Sequence, residues 1–152
     1  MALSGEDLQD GFGYHLLQLA RRWRRFDEQE MTRHGYTDVS WVPLLHLYGA
    51  GAIKQKELAL RCGVDTSSLV RLLTPLGAKG LLSRRHHPDD RRAWLLELTP
   101  QGQQEAERIA GIVARAETAM LEGLADELVN ALKQSAAVIN RNLERLEADE
   151  AR

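Results

Sequence analysis

The chain has 152 residues, 43% of them hydrophobic and 28% charged, which is enough apolar material for one buried core and too much for a disordered segment. Its single cysteine, Cys62, excludes an internal disulfide or a multi-cysteine zinc site, and no run approaches the roughly 18 apolar residues of a membrane span. The net charge of −2 is unevenly spread: residues 54–92 carry nine Lys and Arg against four acids, a net of +5 between acidic flanks, the asymmetry of a module that meets a polyanion.

The first residues, MALSGEDLQDGFG, hold acids where a secretory signal needs positive charge, so a cytoplasmic protein is expected. Phe12, Leu16, Leu19, Trp23 and Phe26 then recur at helical spacing, with Arg21, Arg22, Arg24 and Arg25 beside or opposite them. That stripe is either a core face or a seam against another subunit. His34-Gly35 offers a stop. Residues 37–49 (TDVSWVPLLHLYG) predict a second helix, which starts late or bends at Pro43. Gln55 to Cys62 predicts a short helix broken by Gly63, and Asp65, Thr66 or Ser67 can cap the next, whose inner face is Leu69, Leu72 and Leu73. Pro75 lacks an N–H for the carbonyl of Arg71, so that helix is expected to kink or end early, with Gly77 and Gly80 completing its exit. LLSRRH and RAWLLEL read as two strands of a hairpin, with Trp94, Leu96 and Leu98 alternating on one face. Thr99-Pro100 opens a long helix, Gly123 interrupts it, and Leu128, Leu132, Ile139, Leu143 and Leu146 continue a helical stripe to the end.

QKELALRCGVDTSSLVRLLT has the grammar of a helix-turn-helix. Ala59 is small where the second helix must approach, and Gly63 supplies the turn. A hairpin edged by arginines follows directly, so the fold expected is mainly α with a small β-hairpin wing, a winged helix-turn-helix. In such a module the second helix presents its first turns to the major groove. Thr66, Ser67 and Ser68 suit base edges or phosphates, Arg71 a guanine edge, and the helix N-terminus a phosphate. Lys54, Gln55 and Lys56 can hold the backbone and set register. Cys62 is expected to be a small apolar core residue rather than a redox group.

RRHHPDDRR, residues 84–92, admits two chemistries. As a metal site it would use His86, His87, Asp89 and Asp90, but adjacent residues of a strand point to opposite faces and four arginines repel a dication. As a wing, Pro88, Asp89 and Asp90 turn the chain and Arg91 and Arg92 reach a minor groove, with Asp90 holding the Arg92 side chain in one rotamer. Arg84 and Arg85 alternate along the strand, so at least one faces phosphate. No cofactor or catalytic constellation is apparent, which leaves a metal-dependent sensor and a helical protein-protein adaptor as the alternatives to a DNA-binding regulator.

DDRRAWLLELTPQG resembles the Asp-x-Arg wing and following Leu-Thr-x-x-Gly of the MarR/SlyA family of transcriptional regulators. GVDTSSLVRLL and LGAKGLLSR look like that family's recognition helix and the Gly-Leu lead into its wing, and TDVSWVPLLHL is similar to the preceding helix. The resemblance implies a homodimer on a pseudo-palindromic operator. Residues 1–35 and 100–152 would form the N- and C-terminal dimerisation helices, and residues 36–99 the DNA-binding domain. It also implies a pocket for a small aromatic or phenolic effector that lowers the DNA affinity of a repressor; His15, Leu19, Trp41 and Leu45 are the expected lining. Peroxide-sensing members use a cysteine in the first helix, and this sequence has none there.

Overall fold

The computed structural model describes residues 9–150, the side chain of Arg91 excepted. The chain divides into two compact units, one ending at Ala116 and one beginning at Glu117, which are taken in turn.

In the first unit, α1 (Phe12–Arg33) stops at His34, with Gly35 at φ +90°. Only Met31 of this helix is buried; Phe12, Leu16 and Leu19 are exposed. The Asp38 carboxylate accepts bonds from the backbone N–H and hydroxyl of Ser40, and α2 (Trp41–Leu47) follows. Pro43 falls in the first turn of this helix, where a missing N–H is harmless, so the late start expected from the sequence is observed. Trp41, Pro43, Leu44 and Leu47 bury the inner face.

A two-residue strand, β1 (Ile53–Lys54), leads into α3 (Gln55–Cys62), which ends at Gly63 with φ +66°. Only that left-handed turn lets Val64 N–H reach the Ala59 carbonyl at 3.1 Å and aim the chain into α4 (Thr66–Ala78). Asp65 caps α4 by accepting from the Ser68 N–H at 2.8 Å. Contrary to the sequence expectation, α4 runs through Pro75 for another turn. An interior proline costs about 3 kcal/mol, yet Leu73 and Leu76 on that turn are buried, each worth about 1.5–3 kcal/mol. Arg71, whose carbonyl loses its partner, is exposed, so water can satisfy it. The helix closes in a Schellman motif: Gly80 sits at φ +69°, Gly80 N–H reaches Gly77 O at 3.0 Å, and Leu81 N–H reaches Leu76 O at 3.0 Å.

β2 (Leu82–His87) and β3 (Asp90–Leu98) form the hairpin around Pro88-Asp89, and β1 joins the other side of β3, giving an antiparallel sheet of order β1-β3-β2. Central β3 is buried at both Leu95 and Leu96, so its apolar pattern is broader than simple alternation. His86 pairs with Trp94 while His87 pairs with Asp90, which leaves Arg91, Arg92 and Ala93 in an irregularity of the ladder at the wing tip. α5 (Pro100–Met120) buries Gly102, Ala106, Ile109, Ile112 and Ala116 at helical spacing against a core that includes Met31, Leu44, Leu58, Leu69, Leu76 and Leu96.

Gly102 is fixed by a close approach. A Cβ there would lie 1.7 Å from the Leu81 carbonyl oxygen. The Thr99 hydroxyl donates to the Gly80 carbonyl at 2.6 Å and accepts from the Gly102 N–H at 3.0 Å, while the Thr99 N–H reaches Leu81 O at 3.1 Å. The Leu-Thr-x-x-Gly stretch is therefore a clasp between the end of α4 and the start of α5.

In the second unit, Gly123 at φ +86° makes the turn before α6 (Asp126–Glu150). No residue of α6 is buried; Leu128, Leu132, Val138, Leu143 and Leu146 are exposed.

Candidate nucleic-acid interface

Two helices joined through Gly63, the second capped by Asp65, stand beside a hairpin whose tip leaves its ladder. The first turn of α4, the start of α3 and the wing enclose a recess of about 400 Å³ lined by Lys54, Lys56, Thr66, Asp90, Arg92 and Trp94, with Gln55 and Ala93. Three separate segments of the sequence thus converge, and three cations rim one concavity.

Within α4, Thr66, Ser67 and Arg71 are exposed and Ser68 is half-buried. Both serine hydroxyls are engaged in the cap: Ser68 Oγ donates to Asp65 at 2.7 Å and Ser67 Oγ donates to the same carboxylate. These bonds hold the Asp65 carboxyl well below the usual carboxylate range, so it is charged at neutral pH. The N-terminus expected to attract phosphate is therefore already capped by an anion, and the positive field of the recess comes from its side chains. Val70, on the same helix, is 42% exposed and was not among the expected contacts; an exposed valine in a groove-facing turn can meet a thymine methyl. Of the three residues expected to grip the backbone, Lys54 and Lys56 are exposed, but Gln55 is buried and its Oε1 has no hydrogen-bond partner among the described residues. Gln55 lines both this recess and the groove beside α4.

On the wing, Arg84 and Arg85 separate as strand alternation demands. Arg85 lies opposite Leu95 and its Nε is 3.4 Å from Glu97, so its charge is shared with a carboxylate. Arg84, opposite the core residue Leu96, lines a groove with Val70, Leu73 and Thr74 of α4. Its guanidinium lies 3.8 Å from the Trp94 ring centroid, and the His86 ring stacks on the same indole at 3.8 Å with an interplanar angle of 30°. Asp90 does not hold the Arg92 side chain: it accepts from the Arg92 backbone N–H at 3.0 Å, because the irregular ladder turns that amide toward the carboxylate. The side chain of Arg91 lies outside the described residues. His87 Nδ1 accepts from the Asp89 N–H at 3.2 Å, so the two histidines serve different local bonds. Among the described residues, no group of three or more His, Cys, Asp or Glu converges as a metal site would require.

A second concavity, of about 350 Å³, lies between α1 and α2. Leu16, Leu19, Trp23, Val39, Trp41 and Val42 give it apolar walls, and Arg24, Asp27 and Glu28 its charges, with Arg24 Nε 3.4 Å from Glu28. Of the four expected lining residues, Leu19 and Trp41 are present. His15 is exposed beside Tyr14, and Leu45 packs on the core instead. Trp23 was missed as lining, although it lies on the face of Leu19, one turn on. Next to this cleft Tyr36 donates to Glu105 at 2.5 Å and accepts from Arg108 at 2.7 Å, tying the segment after α1 to α5. Burial, and then the bond to Glu105, push the Tyr36 phenol up from its ordinary value. Burial also pushes the Cys62 thiol up to about 11, so it stays protonated and unreactive near neutrality.

Helix, glycine turn, helix and bulged hairpin together define a winged helix-turn-helix regulator. The model of the MarR family matches residues 36–94. The crystal structure of the transcriptional regulator PA3341 is 33% identical, with a TM-score of 0.79 over 89% of this chain and 99% of that one. The chain belongs to the MarR family of transcriptional regulators. It is also similar to the transcriptional repressor CouR bound to a 23-mer DNA duplex, at 28% identity and TM-score 0.74, covering 92% of this chain and 99% of that one. NadR in complex with 4-hydroxyphenylacetate shares the fold at 24% identity and TM-score 0.76, covering 91% of this chain and 97% of that one.

Proposed function

We propose that the protein is a homodimeric, sequence-specific DNA-binding repressor whose affinity for its operator falls when a small aromatic ligand binds. The observation that carries the DNA reading is the recess in which Lys54, Lys56 and Arg92 surround the first turn of α4. Positive side chains at a helix start and a hairpin tip suit one face of a duplex, the helix in the major groove and the wing beside it. Residues 36–99 would be the DNA-binding domain, with residues 1–35 and 100–152 as the dimerisation helices. CouR, 28% identical, is bound to a duplex, which supports the same use of the fold here. Arg91 and Arg92 would enter the minor groove, and Thr66 and Arg71 read the major groove. The α1–α2 cleft, with Trp23 and Trp41 on its walls, is the proposed effector site.

A mobility-shift titration on the DNA flanking the gene tests this. The wild type is expected to bind a fragment containing an inverted repeat, with log affinity falling linearly in log salt. Arg91→Ala/Arg92→Ala should reduce that slope by about two, one for each lost phosphate-type contact. An unchanged slope would remove the wing tip from the interface. For the effector, titration with salicylate and related phenols should change tryptophan fluorescence saturably and weaken DNA binding in parallel. Trp41→Leu should weaken the response.

A further inference from the structure

The wing carries a stack of three side chains that its turn and register do not require. Trp94 and His86 are direct cross-strand partners, and Arg84 lies two residues from His86 on the same face of β2. Both the Arg84 guanidinium and the His86 ring lie 3.8 Å from the indole. This face looks toward α4: Arg84 lines the groove with Val70 and Thr74, and Trp94 lines the recess with Thr66 and Arg92. Among the described residues, Arg84 makes no ion pair, whereas its neighbour Arg85 is committed to Glu97. Arg84 is thus held by a neutral ring that leaves its full charge available.

We propose that Trp94 is a positioning residue for DNA binding, holding the Arg84 guanidinium between the recognition helix and the wing so that its free N–H edge meets a backbone phosphate. The proposal rests on the reading of this surface as a DNA interface. A guanidinium lying on an aromatic face keeps its in-plane N–H donors outward, so stacking does not compete with phosphate. An arginine otherwise loses much rotamer freedom on docking, and a side chain ordered beforehand loses less. Trp94 also occupies the last regular cross-strand pair before Arg91, Arg92 and Ala93 leave the ladder.

The test is a double-mutant cycle read by fluorescence anisotropy on a labelled mixed-sequence duplex across a salt series, since a phosphate contact needs no operator. Arg84→Ala should lower the salt slope by about one. Trp94→Leu should weaken binding roughly threefold to fivefold in the wild-type background and have no further effect in the Arg84→Ala background. Trp94→Phe, which keeps an aromatic face, should retain most of the affinity. Arg84 is exposed, so its removal does not threaten the fold, and the Phe variant guards against a Leu variant that merely loosens the wing. Independent effects of the two substitutions, or an unchanged slope in Arg84→Ala, would overturn the proposal while leaving the DNA reading intact. Failure of the wild type to bind any duplex at low salt would overturn both.

Discussion

Gly102 is the residue whose identity the structure constrains most tightly. The resemblance of LTPQG to a family motif marks it in the sequence, but no periodicity or propensity says which atom stands over it. The answer, a backbone oxygen 1.7 Å from where a Cβ would be, depends on the exit of α4 twenty residues earlier in the chain. Backbone cannot swing aside as a side-chain tip can. Gly102→Ala is therefore expected to destabilise the protein by about 3 kcal/mol or more, at the upper end for overpacking, as measured by urea unfolding followed by circular dichroism. A loss below about 1 kcal/mol would mean that α5 slides freely on Leu81. Asp90 shows the opposite limit. Its presence two residues before Arg92 was visible, but whether a carboxylate takes an amide or a guanidinium depends on local register, which composition cannot supply.

At the scale of elements, long helices and the hairpin were legible because their apolar spacing and caps agree. β1 was not, since two residues are too few to show a period; only its pairing of Ile53 with Leu96 makes it a strand. The recognition helix was foreseen with a break at Pro75, and tertiary burial of Leu73 and Leu76 outweighs that local signal. Pro75→Ala restores an N–H for the Arg71 carbonyl and is expected to stabilise the protein by about 1–2 kcal/mol, less than the full proline penalty because alanine also frees the unfolded chain. Thermal unfolding reads the gain, and the salt slope of DNA binding should not move, as the groove-facing residues lie one turn or more earlier.

For the whole molecule, the telling fact is unburied apolar surface. Phe12 at 67%, Leu17 at 59%, Leu132 at 59% and Leu146 at 52% exposure lie along α1 and α6, largely uncovered by the described residues. Scattered exposed leucines are ordinary; two ordered stripes are an interface signature. The first stripe could be a core face or a subunit seam; Phe12, Leu16 and Leu19 are exposed while Trp23 and Phe26 are half-buried, as the proposed dimer would allow. If α6 is part of the proposed dimer seam, Leu132→Asp/Leu143→Asp is expected to leave a monomer in sedimentation equilibrium. The pair should also weaken operator binding at least tenfold, because one half-site must then bind alone. An unchanged oligomeric state would assign α6 another role.

α5 is fastened at two points along its first half. Its first turn is locked to Leu81 at Gly102, and Arg108, about 9 Å further along the axis at 1.5 Å per residue, grips Tyr36. Between them runs uninterrupted helix with Ala106 fully buried. Such a segment is a stiff helical link between Tyr36 and the exit of the recognition helix, with no loop between the two contacts.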